Sequence, residues 1–570
     1  MIIGIDLGTT NSLVAALVDG QPAVLPNALG SKMTPSAISI LDDDSLVLGH
    51  AATQRLITHP ERSVAEFKRD IGTARTYPVA NRTYSPQELS SLVLLSLKQD
   101  AEMCLGVPVT EAVITVPAYF GEAQRAATRD AARIAGLNVE RLINEPTAAA
   151  LAYGMDHEDV ELRAVVLDLG GGTFDVTVLE ILEGVIEIQS SAGDSRLGGL
   201  DFTRLVATEL VPQIARSVRT YQEDASTWAR IIAACERAKR DLTEGEEAPI
   251  RLPGLLSGKE TCDLEASISR AAFETASEPL LRRMTGIIHR ALRDANLSPG
   301  DVDEILLVGG ATRMPCVRRC AEDLFGRPVS TDLSPDEAVV RGAAIQAGLK
   351  QGARAVEDIV VTDVAPFSIG VSVSASMASR LVTDLFEPII DRGTVIPCSR
   401  VERLMTLRDD QTTLLVEVYQ GEHAVCRDNQ KLGAYEIRGL PARPAGEVHI
   451  DVRLTYDLNG LLDVDMTTSD GQTHSLFINR GALAMSETDI AKARRSMQRL
   501  KFHPRQALPN VHALERAEAL FLELTGEPRK LLQTALSGFR LQLESQDLTR
   551  IDQARARLLS LMSMLTNTRR

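Results

Sequence analysis

The sequence predicts a multidomain protein: an α/β unit built of two duplicated lobes, then an all-β unit, then a short helical end. Three observations predict it. Two segments, IIGIDLGTTNSLVAAL from Ile2 and AVVLDLGGGTFDVTVL from Ala164, align on an Asp-Leu-Gly core, and self-similarity at this scale marks a duplicated unit. Strand-like and helix-like patterns alternate up to about residue 350, as in α/β domains. From Asp363 to about Asn479 the apolar residues recur at every second position, and from Met485 they return to helical spacing.

In each Asp-Leu-Gly copy an Ile/Val-rich run ends at an acid, a Gly- or Thr-rich turn follows, and a second apolar run returns; both copies read as β-hairpins. Helices are predicted over Gly121–Ala135, Trp228–Leu242 and Arg270–Asn296 from apolar residues three and four apart. In the third unit, Ser486 and Asp489 have capping-box spacing, and Pro504, Pro509 and Pro528 divide the rest into short amphipathic helices. The 570 residues exceed one core, since domains average about 150 residues.

Charge removes several classes of partner. Lys+Arg number 61 against Asp+Glu 77, a net −16, so nucleic acid and anionic membrane, which need surplus surface cations, are not expected to bind. The first residues have neither a basic region nor a long apolar run, and no stretch of about 18 apolar residues occurs; a cytoplasmic protein is expected. Seven scattered cysteines build no disulfide framework. Cys316 and Cys320 share a helix face at i,i+4, without a second ligand pair to complete a metal site.

Phosphate binding is tested first against the familiar loops. Gly254 to Lys259 is one residue short of a Walker loop and is followed by Glu260; Gly170 and Gly172 give GxG, but Asp175 occupies the third glycine's place. What remains is the pair of turns, Asp6 to Asn11 and Asp168 to Thr173. Glycines let backbone N–H groups approach phosphate and hydroxyls add donors, so two such turns can grip a polyphosphate from both sides. Asp6 and Asp168 repel bare phosphate but suit a hydrated Mg²⁺, which they would hold through water.

With these turns in place, GIDLGTTNS, ITVPAYF, INEPTAAALAYG, DLGGGTFD, LGGLDF, ERAKRDL and LVGGATRMP together resemble the DnaK family of seventy-kilodalton heat-shock chaperones, in order and spacing and over nearly the whole chain. The resemblance implies an actin-like ATPase domain over 1–354, an interdomain linker over 355–363, a β-sandwich peptide-binding domain over 364–484 and an α-helical lid over 485–570. It implies ATP/ADP and Mg²⁺ as cofactors, unfolded or extended peptides as clients, and a J-domain co-chaperone and nucleotide exchange factor as partners. By motif, Thr9, Thr10 and Asn11 contact phosphates from the first lobe, and Gly170, Gly171, Gly172 and Thr173 from the second. Glu236, Lys239, Thr243, Gly309, Gly310 and Arg313 match the ribose and adenine positions, where a guanidinium plane can stack on a purine. Lys68 matches the lysine that reaches the γ-phosphate, and Glu145 and Asp175 the acids that orient the attacking water or the metal shell; Lys68, Glu145, Thr173 and Asp175 form the implied catalytic set.

The resemblance also implies a peptide groove lined by Val371, Val373, Leu404, Leu407, Leu414 and Val416, although such alternation equally fills a sandwich core. Ile359, Val360 and Val361 are implied to dock on the ATPase lobes, with Pro117, Arg129, Arg141 and Asp363 relaying the state. An apolar linker of this kind, unlike a Gly/Ser-rich one, suggests a segment that docks in at least one state. Three departures stand out: a first lobe shortened between Lys68 and Pro117, Thr362 where an apolar linker residue is expected, which is expected to weaken docking, and a short helical end. This layout is most similar to the specialised HscC branch of the family, which puts a housekeeping role in question. Two rival readings remain at this point, a small-molecule kinase of the actin-like superfamily and a nucleotide-holding scaffold that does not cycle.

Overall fold

Both Asp-Leu-Gly segments fold as antiparallel hairpins, and each hairpin takes a parallel strand beside it. In this computed structural model, which describes every residue except 156–160, 183–184, 212–213, 215, 217, 258–259, 331–333, 357–358, 378–379, 478–484, 499–500, 503–507, 545–547 and 568–570, the first sheet runs Asn138–Asn144, Glu111–Val116, Ile2–Asp6, Asn11–Val18, Gln21–Val24. The second runs Glu304–Val308, Leu162–Leu169, Phe174–Leu182, Val185–Asp194. Its fifth strand is Val360–Val361, which pairs in parallel with Val185–Ile186. Strands covered on both faces read as continuous Ile/Val runs, which is why Ile2, Ile3 and Ile5 and Val165, Val166 and Leu167 are all buried.

The helices Glu145–Met155 and Ala338–Lys350 join the lobes. Both are rich in Ala and Gly, and small residues let the two backbones approach closely. A Cβ on Gly342 would lie 1.6 Å from the Ala148 carbonyl oxygen, and one on Gly4 would lie 2.3 Å from Ala344 N. The hairpin strand, the helix and the second lobe therefore meet without side chains between them.

The alternating segment forms two four-stranded antiparallel sheets. One orders Arg380–Ile390, Ile369–Met377, Thr413–Gln420, Gln430–Arg438; the other orders Cys398–Met405, His449–Tyr456, Leu462–Thr468, Thr473–Phe477. Their inner faces enclose Val371, Val416, Val418, Ile450, Val452 and Leu454, as expected of a sandwich.

The helical end begins at Glu487–Gln498, where the Asp489 N–H donates to Ser486 Oγ at 3.1 Å and the Ser486 N–H donates to the Asp489 carboxylate at 3.3 Å. This is the reciprocal cap the spacing predicts. Leu508–Glu523, Gly526–Glu544 and Leu548–Asn567 then pack on Leu532, Leu536, Phe539, Leu558 and Met562. Pro509 and Pro528 sit in first turns, where the missing N–H costs nothing. The helical end lies along the first lobe. Ile490, Ala493 and Met497 belong to that lobe's apolar core, and Lys501–Phe502 adds in parallel to Ser45–Leu46.

Gly342→Ala is expected to destabilise the chain by about 3 kcal/mol, because a Cβ at that crossing forces the two helices apart. Denaturant unfolding beside Gly286→Ala, where a Cβ meets nothing within 4 Å, checks it.

Candidate functional site

The two Asp-Leu-Gly turns face each other at the base of the cleft between the lobes. A Cβ on Gly171 would lie 1.9 Å from Thr10 Oγ1, one on Gly172 2.9 Å from Thr9 Oγ1, and one on Gly198 2.6 Å from the Gly171 carbonyl. Glycine is required here by close approach, and it leaves backbone N–H groups free of side-chain cover. Gly309 has φ +82° and sits against the Leu169 carbonyl, so the VGGATR turn backs the second Asp-Leu-Gly strand.

Four acids and one lysine line the floor. Lys68 Nζ donates to Glu145 Oε1 at 2.8 Å, with both side chains buried. Thr115 donates to Asp6 Oδ1 at 3.0 Å, and the Tyr119 N–H donates to Asp175 Oδ1 at 3.1 Å, while Asp175 Oδ2 is buried without a partner. Burial, followed by repulsion from Glu145, pushes Asp6 up to about 7 and Asp175 up to about 8. Asp168 is raised for the same reasons, with Asp175 and Asp6 adding to the repulsion. One ammonium cannot balance four carboxylates, so the floor is built for a further cation. Among the described residues no three His, Cys, Asp or Glu side chains converge on a direct metal cage. Asp6 and Asp168 are the residues that would hold an ion through its own water shell, as hydrated Mg²⁺ is bound.

On the second lobe, Lys239 Nζ donates to the Gly199 carbonyl at 2.9 Å and pairs with Glu236 at 2.7 Å. Burial raises the Glu236 carboxyl, but Lys239 and Arg240 outweigh it and hold the group below its ordinary value. Thr243 caps this helix end, its N–H donating to the Arg240 carbonyl at 2.9 Å. Arg313 is half exposed at the cleft mouth and pairs with Asp336 at 2.6 Å, beside Gly310. Sequence reasoning passed over Arg69, which donates to the Gly172 carbonyl at 3.0 Å and pairs with Asp201, tying the lobes together over the second turn. Its adjacency to Lys68 was the available signal.

A second cluster joins the cleft to the sandwich. Arg125, 3% exposed, donates to the carbonyls of Phe120 at 3.0 Å and Ala118 at 3.2 Å, to Asn144 Oδ1 at 2.6 Å, and to the Asn459 carbonyl of the sandwich at 3.4 Å. Asn144 in turn donates to Asp363 at 2.7 Å. Pro117 sits in the turn that precedes this helix, its carbonyl accepting from the Phe120 N–H. Arg141 donates to Gln346 at 2.6 Å, and Arg129 acts on Glu122, Asp130 and Asp463 through charge. Arg125 is the functional candidate the sequence reading missed; it lies four residues before Arg129 on the same helix. Tyr119, whose N–H holds Asp175, packs its ring on Phe367 of the sandwich with centroids 4.1 Å apart.

Ile359 is buried, Val360 is half exposed and Val361 is part of the added strand. The Thr362 N–H donates to the Ile186 carbonyl at 3.0 Å, while its hydroxyl is buried without a partner. At the position where weakened docking is expected, the backbone docks and the side chain is unsatisfied. In the sandwich, Val371 and Val416 lie in the closed core, Val373, Leu404 and Leu414 at its margin, and Leu407 is exposed. Val401 and Met405 on one sheet and Leu415 on the other are also exposed, out of phase with the inward-facing residues of their strands.

Comparison with known proteins adds to this geometry. The chain matches the profile described as Hsp70 protein over residues 2–83 and 74–558. It is 40% identical over 528 residues to the Chaperone protein DnaK of Thermotoga neapolitana, covering 91% of this chain and 87% of that protein. The proteins of the same name from Thermotoga petrophila and Thermotoga maritima give the same identity and coverage.

The raised acids predict a pH dependence for the nucleotide-free chain. Their folded values lie above the ordinary carboxylate range, so the stability they contribute is complete below about pH 4 and is lost as pH rises through about 8. Asp175→Asn is expected to reduce that loss between pH 6 and 8 by about 1 kcal/mol per pH unit. Urea unfolding of both proteins across this range measures it.

Proposed function

The chain belongs to the Hsp70 family, and from that membership we propose that it is an ATP-hydrolysing molecular chaperone, working in the cytoplasm, that holds extended apolar segments of unfolded polypeptides and releases them under nucleotide control. The observation that carries the coupling is the path from Asp175 through Tyr119 to Phe367, alongside Arg125, Asn144 and Asp363. The proposed division is 1–354 for the ATPase domain, 355–363 for the linker, 364–484 for the peptide-binding sandwich and 485–570 for the lid.

In the proposed ATPase site, Thr9, Thr10, Asn11, Gly170, Gly171, Gly172 and Thr173 present hydroxyl and backbone donors to the phosphates. Asp6 and Asp168 hold hydrated Mg²⁺, which supplies charge neutralisation on the phosphate oxygens. Lys68, withdrawn from Glu145, becomes a compact positive charge for the transferred phosphoryl group, and Glu145 and Asp175 accept hydrogen bonds from the attacking water. Glu236, Lys239, Thr243, Gly309, Gly310 and Arg313 shape the nucleoside pocket. The same residues answer the rival readings, because a kinase gives no reason for the strand-forming linker and a static scaffold none for the acid–lysine floor.

A peptide groove at the margin residues Val373, Leu404, Leu407 and Leu414, bounded below by Val371 and Val416, suits extended chains: main-chain hydrogen bonds give sequence-tolerant affinity and an apolar pocket selects side chains. The helical end lies against the first lobe and Leu407 of the groove stands open to solvent, which supports reading this arrangement as the peptide-releasing one. A J-domain co-chaperone and an exchange factor complete the proposed cycle. The shortened first lobe supports a specialised, HscC-like client range.

Lys68→Ala is expected to lower single-turnover ATP hydrolysis by about a hundredfold while ATP still accelerates release of a Leu-rich labelled peptide. A wild-type release rate indifferent to ATP would sink the coupled reading. Thr362→Val removes the unsatisfied hydroxyl and is expected to raise the docked population by about fivefold, equivalent to about 1 kcal/mol. Linker hydrogen exchange in the presence of ATP measures it.

A further inference from the structure

The helical end meets the first lobe where Leu508–Glu523 crosses His50–Thr58. His50 and His512 face each other across this seam, ring centroids 5.6 Å apart and inclined at 58°. Both are half-buried, and His512 Nδ1 is buried without a partner. Beside them Arg55 pairs with Glu515 Oε1 at 2.9 Å, both buried, while Glu515 Oε2 is buried without a partner. The cavity around the two rings is closed by Leu46, Leu48, Ser96, Asp100 and Leu508.

We propose that the His50–His512 contact is a proton-operated latch, in which neutral imidazoles hold the helical end on the first lobe and protonation releases it. Two imidazolium rings at this separation repel, and the described residues around them do not neutralise them. Arg516 adds positive charge from the crossing helix. Arg55 and Glu515 cancel each other, and Asp100, on Pro86–Leu105, is the acid of the cavity wall among the described residues. A single carboxylate cannot balance two imidazolium ions and an arginine. Burial, then His50 and Arg516, hold His512 down at about 4. Burial also lowers His50, against a hydrogen bond to the Met33 backbone.

The sign follows from linkage. Released into water, each ring returns to about 6.5, so the free helical end takes up protons that the docked one refuses. Docking is then at full strength above about pH 7 and weakens as pH falls from there toward 4. At pH 5.5 a ring shifted from about 6.5 to about 4 weakens docking by about tenfold. Two other acids titrate in the opposite sense. Burial raises Glu515 at the same seam, against Arg55, and burial raises Glu122 to about 8 where it accepts the Leu462 N–H from the sandwich. Through the two rings falling pH loosens the helical end, Glu515 opposes this at the seam and Glu122 favours the sandwich contact, and the readout has to follow the helical end itself.

The latch rests on the chaperone reading only in that the helical end is taken to leave the first lobe, and a distance measurement tests it without peptide or turnover. The full chain carries donor and acceptor dyes on Cys104, exposed on the first lobe, and on Ser537→Cys, exposed on Gly526–Glu544. With ATP and Mg²⁺, the ratio of close to distant molecules is expected to fall about tenfold between pH 7.5 and 5.5. The double variant His50→Gln/His512→Gln, neutral at both pH values, is expected to match wild type at pH 7.5 and to lose most of the fall. A pH-independent ratio in wild type, an equal fall in the double variant, or a double variant already undocked at pH 7.5 would each overturn the latch. Loss of ATP-dependent peptide release with the pH response intact would instead count against the chaperone reading alone.

Discussion

The guanidinium of Arg125 sits where three parts of the molecule meet, and the docked arrangement depends on its being satisfied there. A buried cation is tolerable only when its donors find acceptors. Here they come from the Pro117–Phe120 turn, from Asn144 at the end of a first-lobe strand, and from Asn459 in the sandwich. Removing the sandwich takes away one acceptor and admits water; moving the turn disturbs Tyr119 and, through its N–H, Asp175. The state of the cleft and the position of the sandwich are linked because one charged group is shared between them.

A second constraint is the sharing of apolar surface. Ile490, Ala493 and Met497 complete the first lobe's core, so the helical end cannot leave without exposing both its own stripe and the lobe's. That exposure is unfavourable in water, and a departing helix needs another apolar surface.

Much of this was legible in the sequence, because the informative signals were local. The Asp-Leu-Gly hairpins, the switch to period two at Asp363 and the Ser486–Asp489 cap all depend on residues within one or two turns of chain, and the elements appear where those patterns lie. The less legible parts depend on partners hundreds of residues away. Nothing near Arg125 signals that Asn459 will accept from it, and Arg69 reads as one more charge beside Lys68 until Asp201 is brought opposite. The peptide face, implied by the resemblance, falls on alternating apolar residues, and alternation cannot tell the inner face of a sandwich from its outer one; Val371 and Val416 lie inside, and Met405 and Leu415 outside. The position of the helical end along the first lobe had no local signal at all.

The two-residue strand Lys501–Phe502, laid against Ser45–Leu46, has a consequence for solution behaviour. It covers the edge of a small sheet, and an uncovered edge presents unpaired N–H and C=O groups to any matching strand. The matching strand is carried by every copy of the chain. Within one molecule the tether keeps it at an effective concentration on the order of millimolar, so the self-pairing prevails in dilute solution. As protein concentration approaches that scale while the helical end is released, exchange of this strand between molecules becomes competitive, and the tether length sets the crossover between monomer and swapped oligomer.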